Sequence, residues 1–183
     1  DSLQPLQQEM ASTPQASKAS AYLTVAQLYS RVSDKALAAG VVEQALAKDL
    51  HDPTNGAAAW ATVGHLRVVA GQKQLALDAA RTAHQIDPRS GAAALLALEL
   101  MEAKVPDAEA LLPSYFEHQP SPTLRMAYAR VLMGADRNAD ARKQLDAITN
   151  VNPEFADAWM ALAGLQFQGG ELEAAQRSLQ QFI

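Results

Sequence analysis

The stretch that decides the fold is residues 59–88, which read AWATVGHLRVVAGQKQLALDAARTAHQIDP. Apolar and small residues recur at the spacing of one helix face both before and after Gly71. A glycine at this place ends a first helix, because it adopts the left-handed conformation without strain. Asp87 and Pro88 close the stretch, because the residue before a proline is pushed out of helical geometry. The stretch therefore predicts two helices joined by a tight turn.

The same pattern returns along the chain. The offset from Trp60 to Gly71 equals the offset from Trp159 to Gly170. Each predicted helix pair carries an apolar face that only a neighbouring pair can cover, so the pairs are expected to stack.

Ala141 and Ala175 occupy the same place in successive copies and lie 34 residues apart. This period, with Trp60, Gly64 and Pro88 at signature positions, resembles the tetratricopeptide repeat (TPR) family. The resemblance implies an all-α, right-handed superhelical solenoid of antiparallel helix pairs. It also implies a single array of about five repeats over residues 1–183, as part of a longer array. The expected boundaries are 1–18 (a remnant helix and connector), 19–56, 57–90, 91–121, 122–155 and 156–183.

Some positions depart from the family pattern. Arg67 stands where tyrosine is usual, and Arg125 stands where tryptophan is usual. Repeat 91–121 is short and has Pro106 and Pro113 around its second helix. This repeat is therefore degenerate relative to the family pattern.

Composition and motifs exclude several classes of function. Half the residues are apolar (49%), no cysteine is present, and the net charge is −5. Without a basic stripe, nucleic acid is not an expected partner. No apolar run is long enough to span a membrane. The four histidines form no metal-ligand pair at helical spacing, and no phosphate-binding loop occurs, so neither an enzyme nor a cofactor or metal site is predicted.

The resemblance implies that the first helices of successive repeats line a concave groove. The side chains expected to face a partner polypeptide there are Arg31, His65, Val69, Glu99, Glu102, Met126, Arg130, Met133, Met160 and Phe167. A shift of one residue in register would instead place the methionines and Phe167 in the core between repeats. Both readings stay open from sequence alone.

The predicted function is a non-catalytic scaffold or adaptor that binds a protein or peptide ligand in this groove. Two alternatives are a regulatory segment of a larger multidomain enzyme and a module that self-associates through the ends of the array. The alanine-rich, degenerate repeats also resemble bacterial TPR adaptor proteins of the cell envelope. That resemblance implies a periplasmic or cell-envelope location.

Overall fold

The computed structural model describes residues 35–45, 47, 49–119 and 121–181, so Arg31 and the predicted helix within 1–18 lie outside the described residues. The described residues form nine α-helices and no strand, which confirms the predicted all-α fold. Short 3₁₀ helices at Asp49–His51 and Ala108–Leu111 complete the secondary structure. The α-helices are α1 (Lys35–Ala45), α2 (Gly56–Val69), α3 (Lys73–Ile86), α4 (Gly91–Glu102), α5 (Leu112–His118), α6 (Pro122–Gly134), α7 (Asn138–Val151), α8 (Ala156–Gln168) and α9 (Leu172–Gln180).

The helices fall into two compact modules that divide between Tyr115 and Phe116. In the N-terminal module, α2 packs against α3, and α4 packs against both. In the C-terminal module, α6 packs against α7, and α8 packs against α7 and α9. No helix of the described ranges has both the length and the apolar content that a membrane span needs.

Four tight turns share one backbone conformation. In each, a residue with positive φ ends the preceding helix: 74° at Gly71, 58° at Lys104, 58° at Asp136 and 77° at Gly170. In each, the next residue's N–H donates to the carbonyl five residues earlier, as in the Schellman motif. These bonds run from Gln72 to Arg67 (2.8 Å), Val105 to Leu100 (2.9 Å), Arg137 to Leu132 (2.9 Å) and Glu171 to Gln166 (2.8 Å).

The second half of repeat 91–121, which contains Pro106 and Pro113, is irregular. After α4, the chain forms the 3₁₀ helix and then the short helix α5. Asp107, directly after Pro106, adopts a left-handed conformation with φ 66°. Pro113 is tolerated because it lies in the first turn of α5, where a backbone N–H has no partner within the helix.

Both tryptophans donate a hydrogen bond to the segment that precedes their helix. The Trp60 indole N–H donates to the Leu50 carbonyl at 3.2 Å, in the segment that precedes α2. The Trp159 indole N–H donates to the Pro153 carbonyl at 2.7 Å, in the segment that precedes α8. Each tryptophan therefore ties its helix to the preceding loop, and neither ring is fully buried.

Arg125 takes the corresponding place on α6 without an indole. Its guanidinium lies 4.4 Å from the centroid of the Phe116 ring. Phe116 in turn stacks on Tyr128, with ring centroids 5.9 Å apart. A cation–π contact and an aromatic stack therefore occur where the repeat pattern usually has tryptophan.

Candidate functional site

The N-terminal module has an open cavity of about 320 Å³ between α2 and α4, which we call the α2–α4 cleft. Its wall is mostly apolar, and His65 and Glu99 are its only ionisable lining residues among those the structure describes. The lining side chains are Ala61, Thr62, His65, Ala92, Leu95, Leu96 and Glu99.

Small residues on α2 explain where the cleft forms. Ala61 and Gly64 let α4 approach closely, and Leu96 fills the space above Gly64. Leu96 is 2% exposed and belongs to the core, whereas its neighbour Leu95 is 49% exposed. Leu95 is thus a large apolar side chain on the wall of an open cavity, with no core function of its own.

His65 and Glu99 lie together in this cleft. His65 Nδ1 is 2.8 Å from a carboxylate oxygen of Glu99. Because a carboxylate only accepts, Nδ1 carries the proton and donates it. This hydrogen bond raises the pKa of His65 above its usual value of 6.5, against the opposing effect of burial. Both side chains remain about one-third exposed, so a ligand can reach them.

A second, smaller cavity of about 230 Å³ lies on another side of α2. Arg67 lines it and forms an ion pair with Glu43, and its guanidinium also donates to Gln72 at 2.7 Å. These polar groups satisfy one another, so the cavity offers a ligand fewer free partners than the α2–α4 cleft does. Its lining residues are Glu43, Trp60, Val63, Arg67, Leu75, Asp78, Ala79 and Thr82.

Few other groups of side chains that could take part in catalysis or metal binding occur in the described part of the chain. His84 Nε2 lies 3.0 Å from Ser114 Oγ. Within the described residues no carboxylate hydrogen bonds to His84, so the pair lacks the acid of a catalytic triad. No group of three His, Asp or Glu side chains in these ranges could hold a metal ion.

Solved structures similar to this chain have the same succession of helix pairs. YrrB, described as a TPR protein with an unusual peptide-binding site, aligns with a TM-score of 0.54 and 23% identity over 92% of this chain and 87% of its own. PilF of Pseudomonas aeruginosa gives 0.60 and 18% over 90% and 74%. MamA of Desulfovibrio magneticus RS-1 gives 0.55 and 14% over 90% and 92%. This chain has the TPR fold.

The TPR fold is visible in structure rather than in sequence identity. No protein-family model and no curated protein matches the sequence. The departures at Arg67 and Arg125 remove two of the aromatic residues that mark a TPR sequence. The turn conformations and the tryptophan hydrogen bonds keep the repeat pattern where those residues have changed.

The TPR resemblance led to a set of expected partner-facing residues, and the structure brings only some of them together. His65 and Glu99 share the α2–α4 cleft, and Leu95, which lies on the expected face, lines it as well. Val69 and Glu102 are the last residues of their helices and lie outside the cavity lining. Ala92 and Leu96 also line the cleft and were missed, because their position depends on how closely α4 approaches Gly64.

On the C-terminal module the expected residues separate into core and surface. Met126 is 5% exposed and belongs to the buried cluster that includes Ala158 and Leu162, which favours the core reading that the sequence left open. Arg130 is exposed and forms an ion pair with Asp157 at 3.6 Å.

Met133 is half-buried on α6. Met160 and Phe167 on α8 are 53% and 66% exposed. These two α8 side chains are accessible, whereas Met126 belongs to a buried cluster of residues from α6, α7 and α8.

Proposed function

We propose that this protein binds segments of other polypeptides, with the α2–α4 cleft as its anchor site, and carries out no chemistry of its own. The TPR neighbours support protein–protein interaction in general. The observation that carries the proposal is the open apolar cavity between two helices, with the exposed Leu95 and a reachable His65–Glu99 pair on its wall. Its volume of about 320 Å³ lies at the lower end of ligand pockets, which suits one or two side chains of a peptide.

The mechanism of binding is pre-organisation. The cleft is bounded by two packed helices, so ordering of the protein on ligand binding costs little free energy. An apolar side chain that enters the cleft is removed from water against Leu95 and Leu96, and the polar His65–Glu99 pair fixes its orientation.

A selection from a random peptide library displayed on phage tests this proposal, followed by affinity measurement on the enriched peptide. Leu95→Gln keeps helix propensity and removes the apolar wall, and we expect it to weaken binding about five- to tenfold. Leu75→Gln is the matched control, because Leu75 is 50% exposed in the same module but lines the other cavity. Binding that survives Leu95→Gln, or that is lost in Leu75→Gln instead, would contradict this assignment of the site.

A second candidate function is self-association through the C-terminal module. When Trp159 is aligned with Trp60, Met160 and Leu179 take the places of Ala61 and Ala80, which are buried beside α4. Met160 and Leu179 are about half exposed, and Phe167 on the same module is 66% exposed. A second copy of this chain that packed on these side chains would cover them.

Light scattering over a range of concentrations tests self-association. A mass that rises with concentration, and that returns to the monomer value in Phe167→Gln, supports it. A monomer at every concentration would rule it out.

A further inference from the structure

The α2–α4 cleft combines its apolar wall with an acidic stripe on α4. Leu95, Glu99 and Glu102 recur at helical spacing, which places them on one face of α4. Glu99 uses one carboxylate oxygen for His65, and no other described residue binds its second oxygen. Glu102 is exposed and forms no ion pair with any described residue. The stripe therefore keeps hydrogen-bond acceptors and negative charge available to a ligand.

Among the described residues no lysine or arginine neutralises this stripe, and the one basic side chain that contacts it is His65, which binds a single carboxylate oxygen of Glu99. No lysine or arginine lines the cleft in the described residues. Lys73 directs its ammonium group to the Ala103 carbonyl at 2.6 Å. Lys104 lies in the turn after α4 and makes no ion pair with the described carboxylates.

The helix geometry adds to the negative potential. Glu99 and Glu102 lie in the last turn of α4, at the negative end of the helix dipole. A cation placed beside this turn is attracted by the carboxylates and by the helix end together. The net charge of −5 favours the approach of a basic ligand at long range.

We propose that the α2–α4 cleft selects a polypeptide segment in which a lysine or arginine lies close to a large apolar side chain. The apolar side chain occupies the cleft against Leu95, and the cation lies on Glu99 and Glu102. This specificity rests on the proposed function, and it goes further because the cleft alone would accept apolar segments of any charge.

The test compares the peptide sequences that phage selection enriches on the wild-type protein with those that it enriches on the Glu99→Gln, Glu102→Gln double variant. We expect wild-type protein to enrich peptides with a basic residue next to Leu, Ile, Met or Phe. The double variant keeps both side-chain shapes, and the Gln at position 99 can still accept the His65 hydrogen bond. It should therefore enrich the apolar residue without the basic one.

A thermodynamic cycle quantifies the same contact. The enriched peptide and its Lys→Gln counterpart are each titrated against wild-type protein and the double variant. Wild-type protein should prefer the lysine peptide about two- to tenfold, because partly exposed ion pairs contribute modestly. The double variant should show no preference, and added salt should reduce the wild-type preference.

The outcomes separate the two proposals. Enrichment of uncharged or acidic peptides on wild-type protein, or a basic preference that persists in the double variant, overturns the charge specificity while the binding function stands. Failure to enrich any peptide overturns the proposed function and the specificity with it.

Discussion

Leu96 lies directly against the face of Gly64, so that a methyl group at position 64 would collide with the Leu96 side chain. The nearest other group, the Ala79 methyl, would be 3.3 Å away. Leu96 is almost fully buried and has little room to turn aside. The absence of a side chain at residue 64 therefore sets how closely α2 and α4 pack and, through Leu96, the shape of the α2–α4 cleft.

We expect Gly64→Ala to destabilise the N-terminal module by up to about 2 kcal/mol. Overpacking a core costs about 1–3 kcal/mol, and the better helix propensity of alanine returns about 1 kcal/mol of it. Urea unfolding followed by Trp60 fluorescence measures the change. Gly164→Ala is the control, since a methyl group at position 164 meets nothing within 4 Å and should stabilise by about 0.5–1 kcal/mol. Equal effects of the two substitutions would show that Leu96 is free to move.

The His65–Glu99 hydrogen bond predicts a measurable titration. The pKa of His65 should lie above 6.5 in the wild-type protein and fall in Glu99→Gln, because the charged acceptor is lost. Glu102→Gln should leave it unchanged, since Glu102 does not contribute to the shift. NMR of the imidazole protons from about pH 5 to 9 reads these values. A His65 pKa that does not respond to Glu99→Gln would mean that the two side chains do not interact in solution.

The same shift fixes the sign of a stability effect. A histidine whose pKa is raised by folding stabilises the folded state below its unfolded pKa of about 6.5, and this contribution is lost as pH rises through the folded value. Wild-type protein should therefore lose more stability than Glu99→Gln on going from acid to alkaline pH.

Asp136 has a left-handed conformation that glycine adopts without strain. Asp136→Gly should stabilise the C-terminal module by about 0.5–1 kcal/mol, because it relieves a positive φ and removes an acid from a helix C-terminus. The reverse change at the matching turn, Gly170→Asp, should destabilise by a similar amount. Urea unfolding followed by Trp159 fluorescence compares the two. A loss of stability in Asp136→Gly would indicate that its side chain holds the turn.

Met126 and Met160 occupy the same repeat position and differ in what covers them. Met126→Ala should cost about 2–3 kcal/mol, since it opens a cavity beside Ala158 and Leu162. Met160→Ala should change stability by less than about 0.5 kcal/mol, because the side chain is 53% exposed. Thermal unfolding of both variants measures the difference. Similar melting temperatures would contradict the assignment of Met126 to the core.

The sequence predicted the features that depend on local chemistry. The left-handed glycines at 71 and 170 end helices as expected. Each of these depends on one residue type and its immediate neighbours, which the sequence displays directly.

The features that depend on packing were not predictable in the same way. Met126 and Met160 have the same position in their repeats, and only their burial, with 5% and 53% of the side chains exposed, distinguishes them. The left-handed Lys104 and Asp136 carry no glycine signal. One sequence feature could have indicated the His65–Glu99 contact. The two residues are separated by 34 positions, which is one repeat period.

The recurrence of one turn conformation at Gly71, Lys104, Asp136 and Gly170 bears on how such a chain diverges. Glycine, lysine and aspartate all adopt the same left-handed conformation at these turns. These surface positions therefore accept different residue types without a change in the direction of the next helix. Mutation can therefore change the surface charge of a repeat while the geometry of its helix pair stays the same.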